Sequence, residues 1–370
     1  MNTTEFLAIS AAIVPDRQAL VFEDRRTTFE ALQNQVDRLA DGLGQLGVGP
    51  GDRVAMLQVN TDRYIEPYFA TAKLDAVFVP LNFRSRAEEL TYMLNDCTPN
   101  VLFAGARYAD SVRSIAGDLV SVRHLVAIDE AVDGWLSYDE LVSMEAHVER
   151  YPAADDQDLT MLLFTAGTTG SPKGVMLSHE SFASYILSDV TPADPDDEER
   201  NILTVPLYHI AGMQAVMSAI YGGRTLVIQR QFEPGEWMAL VERERVGRAM
   251  MVPTMLKGLM DHDEFHDRDL SSLRVITYGA APMPLEVIKR AIQEFPGTSF
   301  INAFGQTETA STITRLPPDD HVLTGTPPEI EVKLRRLSSI GKALEDVEVR
   351  IAGEDGEPVE NGDVGEIVAR

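Results

Sequence analysis

The densest chemistry in the chain lies between Leu159 and Gly174. An apolar run, Leu159-Thr160-Met161-Leu162-Leu163-Phe164, empties into Thr165-Ala166-Gly167-Thr168-Thr169-Gly170-Ser171-Pro172-Lys173-Gly174. The glycines Gly167, Gly170 and Gly174 allow positive φ and close approach of backbone to a ligand. Thr165, Thr168, Thr169 and Ser171 add hydroxyls, and Lys173 adds a point positive charge. Together these groups are equipped to hold a polyphosphate. They do not form a Walker A loop, because counting from Gly167 puts Pro172 where the second glycine should stand.

Ligands of α/β sheets sit beyond the C-terminal ends of strands, so three more segments that directly follow strand signals are candidates. Pro206-Leu207-Tyr208-His209-Ile210-Ala211-Gly212 brings an aromatic and an imidazole. Tyr278-Gly279-Ala280-Ala281-Pro282-Met283 leaves space and backbone groups for a flat ring. Asn302-Ala303-Phe304-Gly305-Gln306-Thr307-Glu308-Thr309 delivers an amide, an aromatic face, a hydroxyl and a carboxylate. Asn302 can pair with a purine edge, Phe304 can stack on it, Thr307 can donate to a phosphate and Glu308 can hold a hard cation such as Mg²⁺. Singly, each segment also reads as a glycine turn, a capped helix start or a bonded core imidazole. Their coincidence describes a nucleotide site.

The elements that must position these groups alternate. Thr27 or Thr28 can cap a helix with apolar residues at Phe29, Leu32, Val36, Leu39, Leu43 and Leu46, stopped by Gly47. Strand signals at 54–59, 76–80, 101–103 and 125–128 are interleaved with helical segments near 64–72 and 88–95. After a polar connector at 151–158, strands are expected at 201–205, 226–228, 249–252, 275–277 and 299–301. Helices are expected from about Ser178 and near 234–244, 255–260 and 284–294. The expected fold class is therefore α/β, with two subdomains (about 1–150 and 151–320) of mostly parallel sheets covered by helices. Beyond Glu308 the helical periodicity fades, and short strands at 347–351 and 365–370 predict a small β-barrel-like unit over 321–370.

At 370 residues the chain has ample apolar sequence for more than one core. Its formal net charge of −26 argues against nucleic acid or an anionic membrane as partner. An anionic ligand must then be held by local dipoles and a few cations. No basic segment precedes an apolar stretch at the N-terminus, and no eighteen apolar residues run together, so neither export nor a membrane span is expected. Cys97 stands alone, which excludes an intrachain disulfide and suits a reducing cytoplasm.

The ordered motifs resemble the adenylate-forming superfamily of acyl- and aryl-CoA synthetases, peptide-synthetase adenylation domains and luciferases. Its phosphate loop, Thr-Ser-Gly-Thr-Thr-Gly-x-Pro-Lys-Gly, is matched from Thr165 to Gly174 except that Ala166 replaces Ser. Further motifs follow in order at Lys73–Asn82, Pro206–Gly212, Gly279–Pro282, Phe304–Glu308, Ser339–Lys342 and Gly365–Ile367. The resemblance implies that Thr165, Gly167, Thr168, Thr169, Gly170 and Lys173 enclose the β- and γ-phosphates of ATP. Gly279, Ala280 and Ala281 would line the adenine slot, Asn302 would meet the adenine amino group, and Phe304, where the family usually has Tyr, would stack beside Gly305. Thr307 would contact the α-phosphate, and Mg²⁺ would be held by Glu308 and Thr168. It further implies that Lys173, His209, Thr307 and Glu308 serve catalysis. The acid pocket would draw on His209, Gly212, Met213, Val252, Pro253, Tyr278, Gly279 and Phe304. The implied reaction activates a carboxylic acid to an acyl-adenylate and then transfers the acyl group to CoA.

Members of the superfamily continue with a ribose-binding aspartate, a hinge and a small C-terminal domain bearing a catalytic lysine. None of these lies within Met1–Arg370, so the expectation is the large N-terminal domain of a longer enzyme, adenylating slowly by itself. Amino-acid-activating members carry an aspartate in the segment matching Pro206–Gly212, and its lack here points to a plain carboxylic acid. Two alternatives remain: an adenylating module that loads a carrier protein, and a non-catalytic nucleotide- or acyl-binding protein. The sequence does not fix the oligomeric state, and a homodimer is compatible with it. Asp261–Asp267, with two histidines and several carboxylates, reads as an exposed charged loop because no three of them have metal-site spacing. His179 reads as structural.

Overall fold

The computed structural model describes residues 1–143, 152–153, 155–165, 170–310 and 312–370. Two compact units divide the chain, Met1–Glu233 and Pro234–Arg370.

The first unit opens with α1 (Thr4–Ile13), the hairpin β1 (Gln18–Phe22) and β2 (Arg25–Thr28), and α2 (Phe29–Gln45). The Thr28 hydroxyl caps α2 by accepting from the Ala31 N–H at 3.2 Å, and Gly47 follows at φ +86°. Both ends were legible from residue type, and Phe29, Leu32, Val36, Leu39 and Leu43 are all buried. Alternation then runs through β3 (Arg53–Leu57), α3 (Ile65–Ala72), β4 (Val77–Pro80), α4 (Ala87–Cys97), β5 (Val101–Ala104), α5 (Ala109–Ile115), β6 (His124–Ala127), β7 (Leu136–Ser137) and α6 (Tyr138–Ser143). It resumes with β8 (Leu159–Thr165), β9 (Lys173–Ser178), α7 (His179–Asp189), β10 (Arg200–Leu203), α8 (Ile210–Tyr221) and β11 (Thr225–Ile228).

Seven strands form one sheet in the order β7-β6-β5-β3-β4-β8-β9, parallel throughout except for β9, which returns antiparallel to β8. Strand β3 has β4 on one side and β5 on the other, so the sheet reverses its winding there and opens a crevice at the strands' C-terminal ends. Strands β2, β1, β11 and β10 lie side by side, with β1, β11 and β10 parallel. Sheet membership therefore does not follow the expected boundary near residue 150. β8 and β9 complete a sheet begun by β3, whereas β1 pairs with β11 some 200 residues later.

The second unit contains α9 (Pro234–Glu244), β12 (Arg248–Met251), α10 (Pro253–Met260), β13 (Val275–Gly279), α11 (Leu285–Glu294) and β14 (Ser299–Gly305). These are followed by β15 (Thr312–Leu316), α12 (Pro327–Arg336), β16 (Lys342–Ala343), β17 (Val349–Ala352) and β18 (Glu366–Ala369). β12, β13 and β14 are parallel, and β15 and β16 add antiparallel to them. The mostly parallel α/β class holds. The region expected as a small β-barrel-like unit differs: β17 and β18 form a two-stranded antiparallel sheet, and α12 is a helix where helical periodicity had faded. Its signals were Thr326 with Glu329 three residues on, whose carboxylate accepts from the Thr326 N–H at 2.7 Å, and a proline in the first turn. No helix among the described residues is long and apolar enough to cross a membrane.

Candidate active site

In the first unit the glycine-threonine segment is the turn of a hairpin. Six cross-strand pairs join β8 to β9, the last of them Thr165 opposite Lys173. Gly167, Thr168 and Thr169, like Ala166, lie outside the described residues. Gly170 takes φ +104°, a conformation that glycine adopts without steric cost. Lys173 is exposed and has no ion-pair partner among the described residues, so its ammonium is available to an anion. Immediately after β9, Ser178 caps α7 through a bond from the Ser181 N–H at 3.2 Å. His179 is buried and structural: Thr3 Oγ1 lies 2.9 Å from its Nδ1 and 2.6 Å from the Tyr68 hydroxyl. Burial lowers the His179 pKa to about 4, so the ring is neutral.

His209 sits at the N-terminus of α8. The turn before that helix is tight: a Cβ on Gly212 would stand 2.4 Å from the Pro206 carbonyl oxygen, so only glycine lets the first helical turn pack there. The His209 ring lies 4.2 Å from that of Tyr208, which meets Phe83 edge-on at 5.2 Å, and Phe83 in turn lies 6.4 Å from Tyr108. Phe83 follows β4 and Tyr108 follows β5, so this aromatic run borders the crevice at the C-terminal strand ends. His209 is exposed at its surface, yet surrounding protein lowers its pKa and the nearby Arg84 charge lowers it further. The imidazole is therefore neutral at pH 7 and can accept or donate one hydrogen bond without adding charge. Phe83, Arg84 and Tyr108 were not singled out from sequence, although the rule of post-strand segments covers all three. Met213, expected in the acid pocket, is 0% exposed on the inner side of α8 and presents no surface to a ligand.

In the second unit the nucleotide-type residues converge on the ends of β13 and β14. Tyr278 pairs with Asn302 and Gly279 with Ala303. A Cβ on Gly279 would lie 2.1 Å from the Ala303 carbonyl oxygen, which reserves that position for glycine. Ala280 follows at φ +61°, a left-handed conformation strained for a residue with a Cβ, and both Ala280 and Ala281 are exposed. The Asn302 side-chain amide donates to the Ser339 carbonyl at 3.2 Å, which orients its Oδ1, and that oxygen has no partner among the described residues. Phe304 and Gly305 are half-buried at the end of β14. Thr307 and Glu308 stand on a short turn anchored by a bond from the Gln306 N–H to Thr309 Oγ1 at 3.0 Å. Glu308 is exposed with no basic partner among the described residues, a free carboxylate of the kind a hard cation needs. Val252 and Pro253 begin α10, where Val252 is half-buried and Pro253 buried. Tyr278 is 0% exposed, so it packs beneath the turn rather than lining an open wall.

The Asp261–Asp267 segment is occupied by ion pairs. Asp261 meets Lys257 and Arg290, and Glu264 meets Arg268. Among the described residues no three His, Cys, Asp or Glu side chains are placed to share a metal ion.

A glycine hairpin with a free lysine, and a glycine-alanine turn beside an oriented asparagine and a free glutamate, define the adenylate-forming class of α/β protein. Residues 7–370 match the family described as AMP-binding enzyme. The chain is 31% identical to the indoleacetate–CoA ligase of Aromatoleum aromaticum, covering all of this chain and 70% of that protein. It is 34% identical to the feruloyl-CoA synthase of an Amycolatopsis species over 97% of this chain and 67% of the relative. The inhibitor-bound crystal structure of the N-terminal domain of FACL13 from Mycobacterium tuberculosis matches with a TM-score of 0.88 at 30% identity, covering all of this chain and 88% of that one. The chain belongs to the AMP-binding enzyme family, as an AMP-forming acid–thiol ligase of the acyl-CoA synthetase type.

Proposed function

We propose that the protein activates an aryl-substituted carboxylic acid with ATP and passes the acyl group to CoA. In the first step a carboxylate oxygen bonds to the α-phosphorus of ATP while the bond to the β-phosphate bridging oxygen breaks, releasing pyrophosphate. In the second the CoA thiol, losing its proton, displaces AMP to form the thioester. Such in-line transfers need alignment and charge neutralisation more than covalent help from the protein.

The observation that carries this reading is the uncompensated Lys173 ammonium at the base of the glycine hairpin, in a chain of net charge −26. Lys173, with Thr165 and the loop residues Gly167, Thr168, Thr169 and Gly170, holds the departing phosphates. Asn302 Oδ1 accepts from the adenine amino group, Gly279–Ala281 and Phe304 face the ring, and Thr307 donates to the α-phosphate. Glu308, with Thr168, would hold Mg²⁺, which when bound neutralises phosphate charge. His209, kept neutral, borders the acid without opposing its carboxylate by a hydrogen-bond mismatch or adding a competing charge. A cytoplasmic setting fits the buried free thiol of Cys97.

The aryl preference is supported by the names of the two relatives and by the Phe83–Tyr208–His209 ring contacts, which offer edges and faces to an aromatic acid. Pyrophosphate release measured across indole-3-acetate, ferulate and palmitate, with and without CoA, tests it. Turnover of the aryl acids at least tenfold above palmitate is expected, as one well-filled aromatic subsite contributes about 1.4 kcal/mol or more. Preference for palmitate would reject the aryl assignment.

A further inference from the structure

His321 is buried in the second unit, far in sequence from every motif described above. Its Nδ1–H donates to the Pro317 carbonyl at 2.9 Å, so in the neutral ring Nε2 carries the lone pair. The Tyr278 hydroxyl lies 2.9 Å from that Nε2 and donates to it. The ring is held on its other side by Phe300, stacked at 6.2 Å with 29° between planes. Asp320, next in the chain, is tied to Arg336 of α12 at 2.8 Å. Tyr278 is the residue before Gly279, and Ala280 beyond it is held at φ +61°.

A left-handed alanine persists only where its surroundings over-determine it. On one side the surroundings are β14, with Ala303 too close for any side chain at Gly279. On the other side, the only hydrogen bond fixing the Tyr278 side chain comes from His321. Burial lowers the His321 pKa, which keeps the ring in the form that accepts from Tyr278.

We propose that His321 is a positioning residue for the nucleotide: through Tyr278 it locks the end of β13, and so the Gly279–Ala281 turn against which the adenine is held. The proposal rests on the assignment of that turn to adenine given under Proposed function. Tyr278 and His321 then act as one unit, linking the turn to Pro317 and, through the neighbouring Asp320, to α12.

Equilibrium binding of AMP and of inorganic tripolyphosphate to this chain separates the possibilities. Tripolyphosphate probes the β8–β9 hairpin, which carries no part of the Tyr278–His321 pair. Tyr278→Phe, which keeps the ring, and His321→Leu should each weaken AMP about tenfold, the consequence of leaving one buried partner unpaired. Both should leave tripolyphosphate unchanged. The double variant should be no weaker than either single one, and His321→Gln, whose amide oxygen can accept from Tyr278, should recover AMP binding to within about threefold of the parent. Unchanged AMP binding in folded Tyr278→Phe overturns the proposal even if His321→Leu fails to fold. A parallel loss of AMP and tripolyphosphate also overturns it, since that would be a general structural effect. Failure of the unsubstituted chain to bind AMP at all would instead reject the adenine assignment beneath it.

Discussion

Lys173 is held at the first position of β9 opposite Thr165, with its ammonium free of carboxylates among the described residues. Its charge is therefore spent on a ligand or not at all. Lys173→Ala should weaken ATP by about tenfold or more, the scale of one lost charge-assisted hydrogen bond, and AMP by less than about twofold. Titration calorimetry with both nucleotides checks this, and equal weakening would place the lysine elsewhere than beside the departing pyrophosphate. The glycines act at the same scale by what they omit. Gly212 and Gly279 each stand where a Cβ would meet a carbonyl oxygen within 2.4 Å, so they shape the turns that carry His209 and the proposed adenine face.

Helix α12 shows how an element can rest on its first turn. It buries no residue completely, its apolar side is narrow, and its start depends on the Thr326–Glu329 capping box. Thr326→Ala should cost about 1 kcal/mol of local stability. Faster amide exchange over 327–337 than over α11 is the expected readout, and unchanged exchange there would mean that packing holds the helix. Legibility varied element by element for physical reasons. Helices α2 and α9 were readable because apolar spacing and end signals are local, and the strands that bear the site were readable as short apolar runs with small or polar residues after them. The hairpin β1–β2 was not, because β1 is stabilised by pairing with β11, and partner choice across that distance leaves no local trace. Likewise the order of motifs pointed to the nucleotide site, yet nothing local told that Tyr278 would turn inward to His321 or that Phe83 would reach Tyr208.

On the scale of the whole molecule, the first unit carries a buried carboxyl at Glu66 on α3, whose Oε2 has no partner. Burial first, and the neighbouring Asp62 charge second, raise its pKa to about 8. The folded protein therefore binds this proton more tightly than the unfolded chain does. The stability it contributes is fully present below the ordinary carboxylate value near 4.5, and is lost as pH rises through about 8. Glu66→Gln removes the ionisation. Its melting temperature relative to the parent should climb between pH 5 and pH 8, by about 2–4 °C for each kcal/mol involved, and level off above. A difference that stays flat with pH would mean that Glu66 ionises as freely in the fold as outside it. The hairpin at β8–β9 has a different kind of consequence. Six cross-strand pairs set the register below the glycine-threonine turn, so the lysine's place is decided by the sheet and not by what the turn contains. The turn is thus an interchangeable part: its residues can be exchanged for those of another adenylating enzyme, Ala166 for serine first, while the frame that receives them stays as built.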